Sequence, residues 1–150
     1  MTRHFEMETE AVDASLAAVT AFVKGHLEES GCSLRNQMQI ELAVEEIFVN
    51  IAHYAYAPGK GRAVVRVEVS DEPPAVTITF VDRGIPYDPL SKKDPDVTLT
   101  AEERGIGGLG IFMTKKIMDD VAYEYKDGSN ILKLVKRMQK DKKGGNKTTE

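Results

Sequence analysis

At 150 residues, 41% hydrophobic and 29% charged, the chain is long enough for one domain with a buried core. Its net charge of −4 argues against a direct nucleic-acid partner, and the single Cys32 rules out an internal disulfide or a multi-cysteine zinc site. No signal-peptide core opens the chain and no run nears the ~20 apolar residues of a membrane span, so a soluble, cytoplasmic protein without a membrane partner is expected.

Thr2–Glu8 alternates, with Phe5 and Met7 on one face, and predicts a short edge strand. Asp13–Glu29 carries Leu16, Val19, Phe22, Val23 and Leu27 at helical spacing and stops at Ser30-Gly31. Arg35–Tyr56 is the longest helix candidate. Met38, Leu42, Ile47, Val49 and Ile51 are expected on its apolar faces, and Pro58-Gly59 ends it. Two strand-like runs follow, Ala63–Val69 and Ala75–Val81, joined at Asp71-Glu72-Pro73-Pro74 by a hairpin-type break.

Asp82–Arg104 has no sustained periodicity, and loops of that length inside compact domains are usually functional. Within it, Thr100–Glu103 offers a cap for one short helical turn. Beyond lie a helix over Phe112–Asp120, a strand over Val121–Lys126, a turn at Asp127-Gly128 and a last strand over Ile131–Lys136. The order predicts an α+β fold rather than alternating βαβ units. We expect one domain over residues 1–138 and a disordered basic tail over 139–150.

The densest chemical signal is Arg104-Gly105-Ile106-Gly107-Gly108-Leu109-Gly110-Ile111, which runs into the helix that follows. Glycines let backbone N–H groups converge, and a helix start adds a positive dipole end, so the string suits phosphate oxygens. It also matches Gly-x-Gly-x-x-Gly, but a dinucleotide site needs a buried strand just before it, and Thr98–Glu103 is loop-like. Arg104 is placed to fork onto a terminal phosphate, or else to pair with Glu102 or Glu103.

Upstream, Glu46 and Asn50 lie four apart and share a helix face. An amide oxygen suits Mg²⁺, and a carboxylate one turn away can accept a proton. A solvated pair would have the same spacing. Asp82-Arg83-Gly84-Ile85-Pro86 follows a strand end, where the carboxylate can accept from an adenine amino group and repel guanine. An Asx turn is the bland reading of that fragment.

Taken in order, Glu46-x-x-x-Asn50, Asp82-x-Gly84-x-Pro86 and Gly105-x-x-Gly108-Leu109-Gly110-Ile111 resemble the N, G1 and G2 boxes of the Bergerat-fold (GHKL) ATPases, from roughly Leu34 to Lys136. Within that superfamily, Asn50–Tyr56 and Asp82–Pro89 look like the stand-alone anti-sigma-factor serine/threonine kinases. The resemblance implies a two-layer α/β sandwich, a mixed, mostly antiparallel sheet with helices on one face. It implies ATP and Mg²⁺, with Glu46 as general base, Asn50 as metal ligand, Asp82 as adenine reader and Gly84 letting the base approach. Pro86 completes that box. Gly105, Gly108 and Gly110, with Leu109 between them, would form the phosphate loop; Gly107 would add flexibility to an ATP lid spanning Leu90–Arg104.

Two departures stand out. Relatives often carry a histidine four residues after the asparagine, where this chain has Tyr54; His53 is one position early and inherits no role. Relatives often show Gly-Thr in the closing hairpin, where Gly128-Ser129-Asn130 stands, so a hydroxyl near adenine is expected from Ser129 if at all. The implied partners are a small antagonist protein, phosphorylated on serine, and a sigma factor, with homodimerisation through the N-terminal strand and first helix. The alternatives are a nucleotide-gated binding regulator without phosphotransfer, a detached histidine-kinase ATP domain, or simple ATP hydrolysis.

Overall fold

The computed structural model describes residues 2–91 and 108–138. They form five strands, β1 (Thr2–Glu10), β2 (Arg62–Asp71), β3 (Pro74–Asp82), β4 (Asp120–Lys126) and β5 (Ser129–Arg137), and three α-helices, α1 (Leu16–Glu29), α2 (Leu34–Asn50) and α3 (Gly108–Ile117). The strands join in one sheet of order β1-β2-β3-β5-β4, and every neighbouring pair is antiparallel. The α+β expectation holds, but the sheet is not mixed. β3 and β4 run the same way, yet β5 lies between them, which makes both contacts antiparallel.

Strand alternation builds the two faces. In β2, Ala63, Val65, Val67 and Val69 are buried while Arg62 and Arg66 are exposed. Register then aligns the inner row across the sheet: Val65 opposite Phe80, and Phe80 opposite Leu132. On the outer face of β1 and β2, His4–Glu68, Glu6–Arg66 and Glu8–Arg62 pair across the strands at 2.8–3.0 Å. These exposed pairs specify register more than they stabilise the fold.

The helices close the core over the inner face. Val19, Val23 and Leu27 of α1 are buried at one-turn intervals. Its C-terminus is a Schellman cap: Gly31 has φ of +78°, its N–H reaches Glu28 O at 3.2 Å, and Cys32 N–H reaches Leu27 O at 3.2 Å. Ser33 opens α2, its hydroxyl accepting from Asn36 N–H at 3.2 Å. The buried stripe of α2 is Gln37, Ile40, Ala43, Val44, Ile47 and Phe48. Met38 and Leu42 therefore face away from the core, with Leu34, as an exposed row at four-residue spacing.

The long helix predicted to reach Tyr56 ends as an α-helix at Asn50 and continues as one π-type turn, Ile51–Ala55. Such turns are frequent at functional sites. Tyr56 then anchors the segment, its hydroxyl donating to Arg62 O at 2.6 Å and accepting from Arg83 N–H at 2.7 Å. β4 and β5 join through Asp127 and Gly128, with φ of 53° and 79°, as a two-residue turn with both central residues left-handed. No helix among the described residues is long and apolar enough to cross a membrane. The predicted tail lies outside the described residues.

Candidate functional site

The C-terminal end of α2, the inner ends of β3 and β5, and the start of α3 enclose a cavity of 610 Å³. That lies within the range of roughly 300–1,000 Å³ usual for small-molecule sites. Phe80 and Leu132 form an apolar floor, continuous with the core. Ile47, Ile51, Tyr54 and Ala55 make one wall, Ile85, Tyr87 and Pro89 another, and Ile111 of α3 a third. Polar groups are few: Asp82, Asn130, half-buried Asn50 and the phenols of Tyr54, Tyr87 and Tyr123. A flat apolar ring with one polar edge fits such a slot.

Asp82 is the last residue of β3 and only 6% exposed. Its Oδ1 accepts from Gly84 N–H at 2.9 Å and from Asn130 Nδ2 at 3.0 Å. The Asx turn is thus present, and the carboxylate also lines the cavity. Gly84 serves a different neighbour from the one expected. A Cβ there would sit 2.2 Å from Ala55 O, and Ile85 N–H donates to that same oxygen at 2.9 Å. Its bare face admits the end of the π turn. Pro86 is not among the lining residues, whereas Pro89 is.

Ser129 is buried but is not among the cavity-lining residues. Adjacent strand residues face opposite ways, and the turn at Asp127-Gly128 sets Asn130, not Ser129, opposite Asp82. Ser129 Oγ instead accepts from Arg83 Nη1 at 3.1 Å. Asn130 is the site residue that sequence reasoning missed. Tyr54 lines the cavity, while His53 Nε2 lies 2.8 and 3.0 Å from the carboxylate oxygens of Asp13. His53 is turned to the start of the first helical region, away from the site.

Glu46, half-buried on α2, lies against α3: a Cβ at Gly110 would meet its Oε2 at 2.5 Å. A glycine at 110 thus leaves room for the carboxylate at the helix contact. Asn50 is one turn beyond Glu46, and its amide has no hydrogen bond among the described residues. Gly108, Leu109 and Gly110 are the first turn of α3, so the helix begins inside the glycine string rather than at Phe112. Arg104, Gly105 and Gly107, with most of the predicted lid, lie outside the described residues.

A family model described as the histidine kinase-like ATPase domain matches residues 9–136. The chain belongs to that family. Among relatives of this ATPase domain, the serine/threonine-protein kinase BtrW of Bordetella bronchiseptica is 26% identical over 102 residues, 68% of this chain and 71% of BtrW. The serine-protein kinase RsbW of Listeria monocytogenes is 27% identical over 114 residues, 73% of this chain and 72% of RsbW. Among solved structures, that of the RsbU and RsbW domains of Rv1364c from Mycobacterium tuberculosis aligns with a TM-score of 0.65 at 18% identity. The alignment covers 91% of this chain but only 32% of that one. The SiaB–SiaC complex of Pseudomonas aeruginosa gives a TM-score of 0.54 at 14% identity, over 89% and 88% of the two chains. At these identities the structural likeness speaks for the fold alone.

Proposed function

We propose that this protein is a cytoplasmic, ATP-dependent serine/threonine kinase of the anti-sigma type, which phosphorylates a small antagonist protein, sequesters a sigma factor, or does both. The observation that carries the nucleotide part of the reading is the buried carboxylate of Asp82, which lines an apolar cavity with Asn50 and Ile111 of α3; the kinase part is supported by the likeness to BtrW and RsbW. Adenine would enter between Phe80, Leu132 and the π-turn wall, its amino group on Asp82. The first turn of α3 would stabilise phosphate charge through its N–H groups, with Gly105 and Arg104 contributing from the preceding segment.

The donor set fits a magnesium ion carried in with the nucleotide. Asn50 offers one uncommitted amide oxygen, and the described residues hold no cluster of three or more acidic, histidine or cysteine ligands. Phosphate oxygens and water would supply the rest of the shell, as this cation prefers. The ion would neutralise charge that develops on the transferred group. Glu46 would accept the proton of the incoming serine hydroxyl, held in reach by its contact with α3. β1 is a sheet edge, and a homodimer formed through it and α1 would continue the sheet.

The test is incubation with γ-labelled ATP or with ADP, followed by pulldown and mass spectrometry for phosphoserine or phosphothreonine on the captured protein. Glu46→Gln should keep ATP binding and lower transfer by about 10²–10⁴-fold; Asn50→Ala should remove the magnesium dependence of binding. Full transfer by Asn50→Ala would overturn the assignment. A stoichiometric complex formed with ATP but without any phosphoprotein would favour the nucleotide-gated regulator instead.

A further inference from the structure

Resting on the ATP reading, we infer that Asn130 is a positioning residue that sets purine choice, by pinning one oxygen of Asp82 so that only the other meets the base. The amide of Asn130 is 7% exposed and fully used. Nδ2 donates to Asp82 Oδ1 at 3.0 Å and to Ile85 O at 2.9 Å, with Gly84 O at 3.5 Å. Oδ1 accepts from Tyr87 N–H at 3.1 Å and from the Tyr123 hydroxyl.

The partners fix the amide's orientation. Ile85 O and the carboxylate can only accept, and Tyr87 N–H can only donate, so a flipped amide would break three bonds. The Tyr123 phenol, protonated at neutral pH, completes the set as a donor to that oxygen. With every position taken, Asn130 has nothing left for a ligand. It acts through Asp82 and through the loop that carries Ile85 and Tyr87 into the cavity wall.

Asp82 Oδ1 then accepts two bonds, whereas Oδ2 accepts none among the described residues. A carboxylate clamped this way presents a single fixed acceptor to the cavity. A purine bearing an amino group at that edge is bound, and one bearing a carbonyl is repelled. A carboxylate free to rotate, or to take up a proton, would lose that discrimination.

The experiment is calorimetric titration of the full chain with ATP and with GTP, on wild type, Asn130→Ser and Asn130→Asp, with thermal melts alongside. Asn130→Ser cannot span Asp82, Ile85 and Tyr87; it should lower the ATP:GTP preference by about tenfold, the scale of one hydrogen bond to a charged group. Asn130→Asp places two carboxylates within hydrogen-bond distance, and such a pair holds a shared proton only as pH falls. Its ATP affinity should rise from about pH 8 to about pH 5.5, relative to wild type over that range. Equal loss of ATP and GTP binding in Asn130→Ser would show a merely structural role and overturn the inference, as would an Asn130→Asp profile parallel to wild type. If Asn130→Asp melts below the assay temperature, the Asn130→Ser ratio decides. Wild type binding neither nucleotide would instead overturn the ATP reading itself.

Discussion

Replacing Gly84 with alanine separates two reasons for a glycine at that position. The added Cβ would lie 2.2 Å from Ala55 O, 2.6 Å from its carbonyl carbon and 2.7 Å from its Cβ. Non-bonded carbons need roughly 3.5 Å, so the loop and the π turn must part by roughly 1 Å. Backbone on both sides leaves no flexible side chain to yield. Overpacking costs about 1–3 kcal/mol, and losing the Ile85–Ala55 hydrogen bond at 2.9 Å adds about 1 kcal/mol. The sum, about 2–4 kcal/mol, lowers the melting temperature by about 4–16 °C for a chain of this size. Circular dichroism melts and ATP titration of the same sample measure both consequences. A variant that melts within about 1 °C of wild type yet binds ATP weakly would refute the packing argument. Gly84 would then serve only the approach of the base.

Gly25, exposed in α1 with nothing within 4 Å of an added Cβ, should behave oppositely. Gly25→Ala should gain up to about 1 kcal/mol and raise the melting temperature by about 2–4 °C. The Cβ of Gly110→Ala would press hardest on the far end of the Glu46 side chain, with Oε2 at 2.5 Å and Cδ at 3.3 Å. The variant's stability should change by less than about 1 kcal/mol, while phosphotransfer falls at least about tenfold because the carboxylate is displaced. Tyr123 should titrate above an ordinary tyrosine, since burial raises its pKa. The stability tied to its protonated form is full below about pH 10 and is lost as pH rises through the folded-state value; tyrosinate absorbance against melting temperature across that range checks the sign.

Legibility in the sequence followed the range of the interaction. The α1 cap at Gly31 and the Asp127-Gly128 turn rest on backbone conformations that few residues adopt, so their residues announce them. Strand alternation in β2 was as readable, because one face is buried and the other paired in charge. The apolar face of α2 was not. Met38 and Leu42 are as hydrophobic as the stripe beside them, and only the placement of α1 and α3 decides which row is covered. The π turn after Asn50 has no local signature either. Glu46, Asn50 and Asp82 could be singled out from their spacing, but Asn130 required the register of β5 against β3. The role of Gly84 required knowing that Ala55 lies against it.

β5 is the last of the described strands yet lies inside the sheet, between β3 and β4. Until it inserts, β3 has one bare flank, and Asp82 lacks the partner supplied from 48 positions downstream. The edge of the cavity that carries Asp82 is therefore complete only when residues 48 positions apart are brought together, a contact that closes a long loop. A chain cut short before Asn130 would lack both the inner strand and the side chain that holds Asp82, and the cavity would have neither its Leu132 floor nor its clamped carboxylate.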